Sequence, residues 1–258
     1  MRSALHRGAD PPIVSRSRPL LWPGVLCAVL LAVGPSLIGD APDPHDSSDQ
    51  IAIYFTAHRG QVFACVTMLV AAALALLLFS CVVAELLEQH GEGVLAGLTS
   101  SAGILVVALT LITTTIYAVL GYDVAGASPQ AAMSLFVVTI VVHVPLGAVA
   151  ACFVTSTTIA GRRAQLMPGW LVSVGLIAGL ALASSLLAFR SSGPLSPDVQ
   201  QQVCWTVLQG WILLTALGTV TPTRTERCAQ QAVPTSLVSG TARGIRCLSH
   251  GRPRTGHP

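Results

Sequence analysis

The chain has no lysine and little charge of either sign. Asp, Glu, Lys and Arg make up only 10% of its 258 residues, and all 14 basic residues are arginine. An ordinary water-facing domain is about 25% charged. A soluble globule of this size is therefore excluded, because too few polar groups exist to cover it. The absence of lysine, beside heavy use of Ala, Gly, Val and Pro, points to a high-GC coding sequence and carries no mechanism.

Other absences narrow the chemistry. No Walker loop, G-x-G-x-x-G, G-x-S-x-G or H-E-x-x-H occurs, and no polar stretch is long enough for a soluble catalytic core. Those gaps point away from an enzyme. The seven cysteines form no C-x-x-C pair and no cluster with metal-ligand spacing, so they read as small apolar fillers plus two thiols in the tail. Aromatics are 5% of the chain and do not interleave with the basic residues, which argues against nucleic acid as a partner. Period-two alternation is missing too, and with it the signature of a membrane barrel. No cofactor or metal is expected.

What the chain does have is hydrophobic length. It is 52% hydrophobic with a mean hydropathy of +0.70. Six apolar runs stand out: 20–38, 61–84, 95–120, 132–157, 168–189 and 203–220. About 20 apolar residues at 1.5 Å rise cross a bilayer, and in lipid each segment must satisfy its own backbone hydrogen bonds. The fold class is therefore all-α, a polytopic membrane bundle of about six transmembrane helices. The first run reads as a retained helix, because it exceeds a usual signal-peptide core and Ile38-Gly39-Asp40 is a poor cleavage site. Residues 1–19 form a basic segment and 221–258 a basic disordered tail. Residues 39–60 read as a loop, acidic at Asp40, Asp43, Asp46 and Asp49. It lacks the glycine turn and terminal Glu of a calcium loop and reads as a solvated linker.

Orientation follows from arginine. With six spans and the N-terminus inside, only Arg59 and Arg190 fall outside, against twelve arginines on the cytoplasmic side. Both termini are expected in the cytoplasm of a cell-membrane protein. Their Arg-rich segments are expected to lie on anionic inner-leaflet lipid.

The fourth run carries the candidate intramembrane site. His143 and Pro145 sit near its middle. Thr139, His143, Gly147, Ala151 and Thr155 recur every fourth position and share one helix face. An ionisable group at membrane depth is a default site hypothesis. Pro145 removes a backbone N–H, leaving the Val141 carbonyl without its usual donor, and kinks helices. Thr110, at similar depth on the third run, is the expected partner. Against this stands a plain alternative, a packing histidine bonded to a neighbouring helix. The stripe on the fourth run and Gly175-x-x-x-Gly179-x-x-x-Ala183 on the fifth are small-xxx-small patterns, suited to close packing within the chain, in a homo-oligomer or against another membrane protein.

At the outer interface, Tyr54, His58 and Arg59 form a second candidate contact. They read as an interfacial anchor, with Tyr54 and Phe55 as an aromatic belt, or as an anion or headgroup contact. The run Tyr54-Phe55-x-x-His58-Arg59 resembles a Tyr-Tyr/Phe-x-x-His-Arg signature, and Leu166-Met-Pro168-Gly-Trp170-Leu171 resembles a Leu-Pro-x-Trp-Leu start to a penultimate helix. Both are similar to motifs of an uncharacterised multi-pass membrane family of high-GC, actinobacterial-type bacteria, over about residues 50–220. The resemblance implies a six-helix integral membrane domain and transfers no catalytic residue. The expected role is a non-enzymatic structural, accessory or partner-binding one. A small secondary transporter or proton-coupled carrier using His143 is the alternative.

Overall fold

The computed structural model describes residues 22–39, 42–43, 45–187 and 196–218. The basic segment 1–19, the tail 221–258 and Asp40 lie outside them. The described residues are helical, with no strand among them. The helices are α1 (Trp22–Ser36), α2 (Ser48–Ala57), α3 (Arg59–Gln89), α4 (Gly93–Val119), the single turn α5 (Ala125–Ala127), α6 (Pro129–Arg163), α7 (Gly169–Ala183) and α8 (Pro197–Gly218). A 3-10 turn, Ser184–Leu187, extends α7.

Four of these are long and apolar enough to cross a membrane: α3, α4 continued to Tyr122, α6, and α7 continued to Leu187. Helix α3, with 31 residues, is about 46 Å long at 1.5 Å rise, and α6 is longer still. Both exceed the roughly 30 Å hydrocarbon core. Outward-facing positions are apolar, among them Leu74, Leu78, Ile104, Leu105, Ile177 and Leu180. Helix α1 is 15 residues of the expected 20–38 run. Helix α8 opens at Pro197, six residues before the apolar run at 203, with Gln200, Gln201 and Gln202 in its first turns, and is not one of the four.

Consecutive long helices run antiparallel. At one end, Arg59 at the start of α3 lies over the ring of Tyr122 just past α4. At the other end, Arg163 closing α6 reaches Glu92 before α4 at 3.7 Å. The turn between α4 and α6 is made where the helix breaks at Tyr122 (ψ −172°). Ser128 then caps α6, with Pro129 in the first turn where a missing N–H costs nothing.

The loop expected over 39–60 is corrected by the structure: it contains α2. Ser47 accepts the N–H of Gln50, and the Gln50 side chain accepts the N–H of Ser47, a complete capping box. Asp43 and Asp46 accept local backbone N–H groups at 2.8 Å, so these carboxylates shape the approach to the helix. One face of α2, Ile51, Ala52 and Phe55, is buried against Leu120, Ala132, Phe136 and Ile140. Phe55 is 1% exposed, which overturns its place in an interfacial belt; it is core, because α2 packs its face onto α6.

The small-residue stripes meet each other. Gly175 faces Thr158, and Gly179 faces Thr155, so α7 lies directly on α6. Gly147 faces Ser185 and Cys204, bringing the end of α7 and the start of α8 onto the same helix. Both stripes thus pack inside the chain. A Cβ on Gly175 would fall 3.0 Å from the Trp211 indole nitrogen and closer still to Thr158. Gly175→Ala should therefore destabilise the purified protein by about 1–3 kcal/mol through overpacking. Gly97→Ala, where a Cβ meets nothing within 4 Å, should stay within about 0.5 kcal/mol of wild type. Unfolding in detergent measures both, and equal effects would overturn this packing.

Candidate functional site

The site begins on α4. Thr110, Thr113, Thr114 and Tyr117 stand at i, i+3, i+4 and i+7, one face of the helix. Each threonine donates its hydroxyl to the carbonyl four residues earlier: Thr110 to Val106 (2.8 Å), Thr113 to Leu109 (3.0 Å) and Thr114 to Thr110 (2.6 Å). A hydroxyl has one proton and two lone pairs. With the proton engaged on the backbone, what these residues present is acceptor oxygen.

Helix α8 supplies a second polar face. Gln201, Trp205 and Gln209 recur every fourth residue, flanked by Gln202 and Thr206. The polar opening of α8 is thus helical rather than loop, and one side of it turns inward. Between α4 and α8, with α1, α3 and α2 closing the rest, lies a chamber of about 310 Å³. The α1 and α3 walls are apolar, through Leu31, Ala32, Pro35 and Leu69. Phe55 and Phe136 add rings, and Tyr54 and Ile38 lie toward one end.

His143 projects into this chamber from α6 and is 2% exposed. Its ring contacts assign its tautomer. The Trp205 indole N–H donates to Nε2 at 2.9 Å, and an indole nitrogen only donates. Nε2 is therefore the lone-pair nitrogen. Nδ1 carries the proton and donates it to the Thr139 carbonyl at 2.6 Å. The neutral ring is fully satisfied, edge-on to Trp205 with centroids 5.6 Å apart. A proton placed on Nε2 would confront the indole N–H and break that bond. Among the described residues, no carboxylate and no guanidinium lines the chamber.

Of the residues expected from the sequence, Thr110 and His143 share this chamber, and Tyr54 joins them. Thr139 and Pro145 do not line it. Thr139 is buried; its hydroxyl donates to Phe136 at 2.6 Å, and its side chain meets the Tyr117 hydroxyl, which also meets Gln201. Helix α6 continues through Pro145, two residues before the close packing at Gly147. His58 stacks on Tyr54 at 4.5 Å, and the Tyr54 hydroxyl donates to the Ile38 carbonyl at 2.5 Å, tying α2 to the end of α1. Arg59 lies 5.7 Å from the Phe63 ring centroid and 5.6 Å from that of Tyr122. His58 and Arg59 lie outside the chamber lining.

Sequence reasoning missed the α8 contribution, Gln201, Gln202, Trp205, Thr206 and Gln209. The four-residue recurrence was its only signal, and it straddled the edge of an apolar run. No family model, curated protein or solved structure matches the chain. The chamber and its hydrogen bonds are what a functional reading rests on.

The His143–Trp205 bond joins α6 to α8 across 62 residues of sequence. A double-mutant cycle of His143→Phe and Trp205→Phe should give a coupling of about 0.6–1.7 kcal/mol, the range for polar bonds between membrane helices. Additive effects in detergent unfolding would remove this tie.

Proposed function

We propose that the chain is a non-enzymatic integral membrane protein that holds a small solute between its helices. In this reading α1, α3, α4, α6, α7 and α8 are six spans of a cell-membrane protein. Both termini are cytoplasmic, and the Arg-rich ends rest on anionic lipid. The observation that carries the reading is the chamber: a bundle filled only for packing does not need three glutamines and four threonines around one space. Pockets that bind small molecules start near 300 Å³ and combine apolar walls with a few placed polar groups. An accessory role suits such a protein, with the solute-bound bundle presented to a membrane partner or a second copy. The Tyr54-Phe55-x-x-His58-Arg59 run supports placing it with the actinobacterial-type multi-pass family it resembles. That run ties α2 to α1 through Tyr54 and anchors the start of α3 through Arg59.

The proton-coupled carrier is the second reading, and two observations favour solute binding over it. Both ring nitrogens of His143 are engaged. Among the described residues no acid faces it across the chamber. A relay needs a partner to hand the proton to, so His143 here is a positioning group that orients Trp205 on the chamber wall.

Two measurements test the proposal. In a cysteine-free background, Asp46→Cys should react with an impermeant maleimide in intact cells, and Arg162→Cys only after permeabilisation; the opposite pattern would reverse the orientation. For the chamber, small-molecule libraries should contain compounds that raise the unfolding temperature of the wild-type protein in detergent. Thr113→Phe, which fills the chamber, should abolish that rise while still unfolding cooperatively. If no compound separates the two proteins, solute binding is wrong.

A further inference from the structure

The chamber's walls differ in kind, and the difference specifies what fits. Leu31 and Leu69 offer only apolar surface. The α4 threonines offer acceptor oxygens, because their protons are engaged on the helix backbone. Gln202 and Gln209 offer both donors and acceptors. No formal charge lines the space among the described residues. A charged solute would give up its hydration with no counter-ion to replace it, and one charge at membrane depth weakens binding on the order of a hundredfold. An apolar solute would leave the amides without partners.

The chamber also has a side. At one end of α1, Gly24 meets Phe79 and Ala216, leaving no room for a Cβ, so α1 and α8 touch there. Further along the same pair, Ala32 and Pro35 on α1, and Gln202 and Thr206 on α8, are exposed and line the chamber. The two helices therefore part as they run, and the gap between them faces outward from the bundle toward the end of α1, where Ile38 and Gly39 also line the chamber.

We infer that the chamber takes an uncharged small amphiphile bearing a hydrogen-bond donor, an alcohol, phenol or primary amide on a ring or short chain, admitted sideways from lipid between α1 and α8. This rests on the chamber being a binding site, as proposed above. The donor meets the threonine oxygens, the amides take its remaining polar atoms, and its apolar body lies against Leu31 and Leu69. The bilayer serves as the reservoir, since a neutral amphiphile concentrates there.

The test uses the full-length protein in detergent and three probes of one shape: benzamide, benzoate and benzylammonium. Benzamide should raise the unfolding temperature saturably, and the two ions should need on the order of a hundredfold higher concentration for the same rise. Thr206→Trp, at an exposed position beside the gap, should block benzamide without impairing the fold. Thr114→Val, which keeps volume and removes one acceptor, should weaken benzamide binding several-fold. If all three probes bind equally and Thr206→Trp blocks them all, the chamber binds solutes and the uncharged class is wrong. If benzamide binds and Thr206→Trp has no effect, the sideways route is wrong. If no probe gives a saturable rise in wild type while a library compound gives one that Thr113→Phe abolishes, the inference falls and the chamber reading stands; if neither gives a rise, both fall.

Discussion

Helix α6 is positioned by side chains that are missing. Lipid tails are as apolar as leucine, so burial against a neighbouring helix gains little hydrophobic energy; close van der Waals packing has to supply the association. Backbones come close only where a Cβ is absent or small. Gly175 and Gly179 admit Thr158 and Thr155, Gly147 admits Ser185 and Cys204, and Gly103 admits Ser80 and Phe153. Three of these four contacts involve the face of α6 that also carries Thr139 and His143, and α6 is the helix that α2, α4, α7 and α8 all touch. Hydroxyls on and beside these contacts are bonded within the bundle. Thr157 and Thr158 return their protons to the α6 backbone, and Thr99 meets Ser156 at 3.0 Å between α4 and α6.

The chamber follows from where those close contacts stop. Cys204 against Gly147 and Trp205 against His143 fix the first half of α8 to α6. Its far end is held to α1 by Ala216 against Gly24. Between these two attachments α8 has no glycine-mediated approach to α1, and the helices separate. The space that opens is lined on α4 and α8 by residues that would be awkward against lipid, such as Gln201 and Gln209. A polar residue on a membrane helix has to face protein or a cavity. Here the cavity and the polar faces account for each other.

Much of this was legible in the sequence, and the misses have physical causes. Long apolar runs with polar punctuation announce helices in lipid, because the requirement for internal hydrogen bonding leaves little choice. His143 and Thr110 do line one chamber, but the partnership expected from their similar depth is not made: Thr110 returns its proton to Val106, and His143 is met by Trp205 and the Thr139 carbonyl instead. Helix α2 was hidden because it is short and flanked by Pro42, Pro44 and several aspartates, which outweigh a capping box of only two residues, Ser47 and Gln50. Its buried set of Ile51, Ala52 and Phe55 is too small to register as amphipathic. The α8 wall was hidden for the opposite reason. Hydropathy sums over all faces of a helix, and Gln201 and Gln202 lowered the sum exactly where one face turned inward. The pairing of the two small-residue stripes could not be read at all, because a stripe states that something approaches and never states what.

The scarcity of charge that argues against a water-facing fold also governs the interior. The described helices carry their formal charges near their ends, at Arg59, Glu85, Glu88, Arg162 and Arg163. A chamber enclosed by such helices is polar here through amides, hydroxyls and a neutral imidazole. His143 fits that pattern: its two nitrogens, one donating and one accepting, link α6 to α8 in a way a charged ring could not, because two donors would then meet at Trp205. The residue that looks most like a proton handler from sequence is held here by bonds that require it to stay neutral. Its isolation from any acid is then what keeps the chamber's lining uncharged.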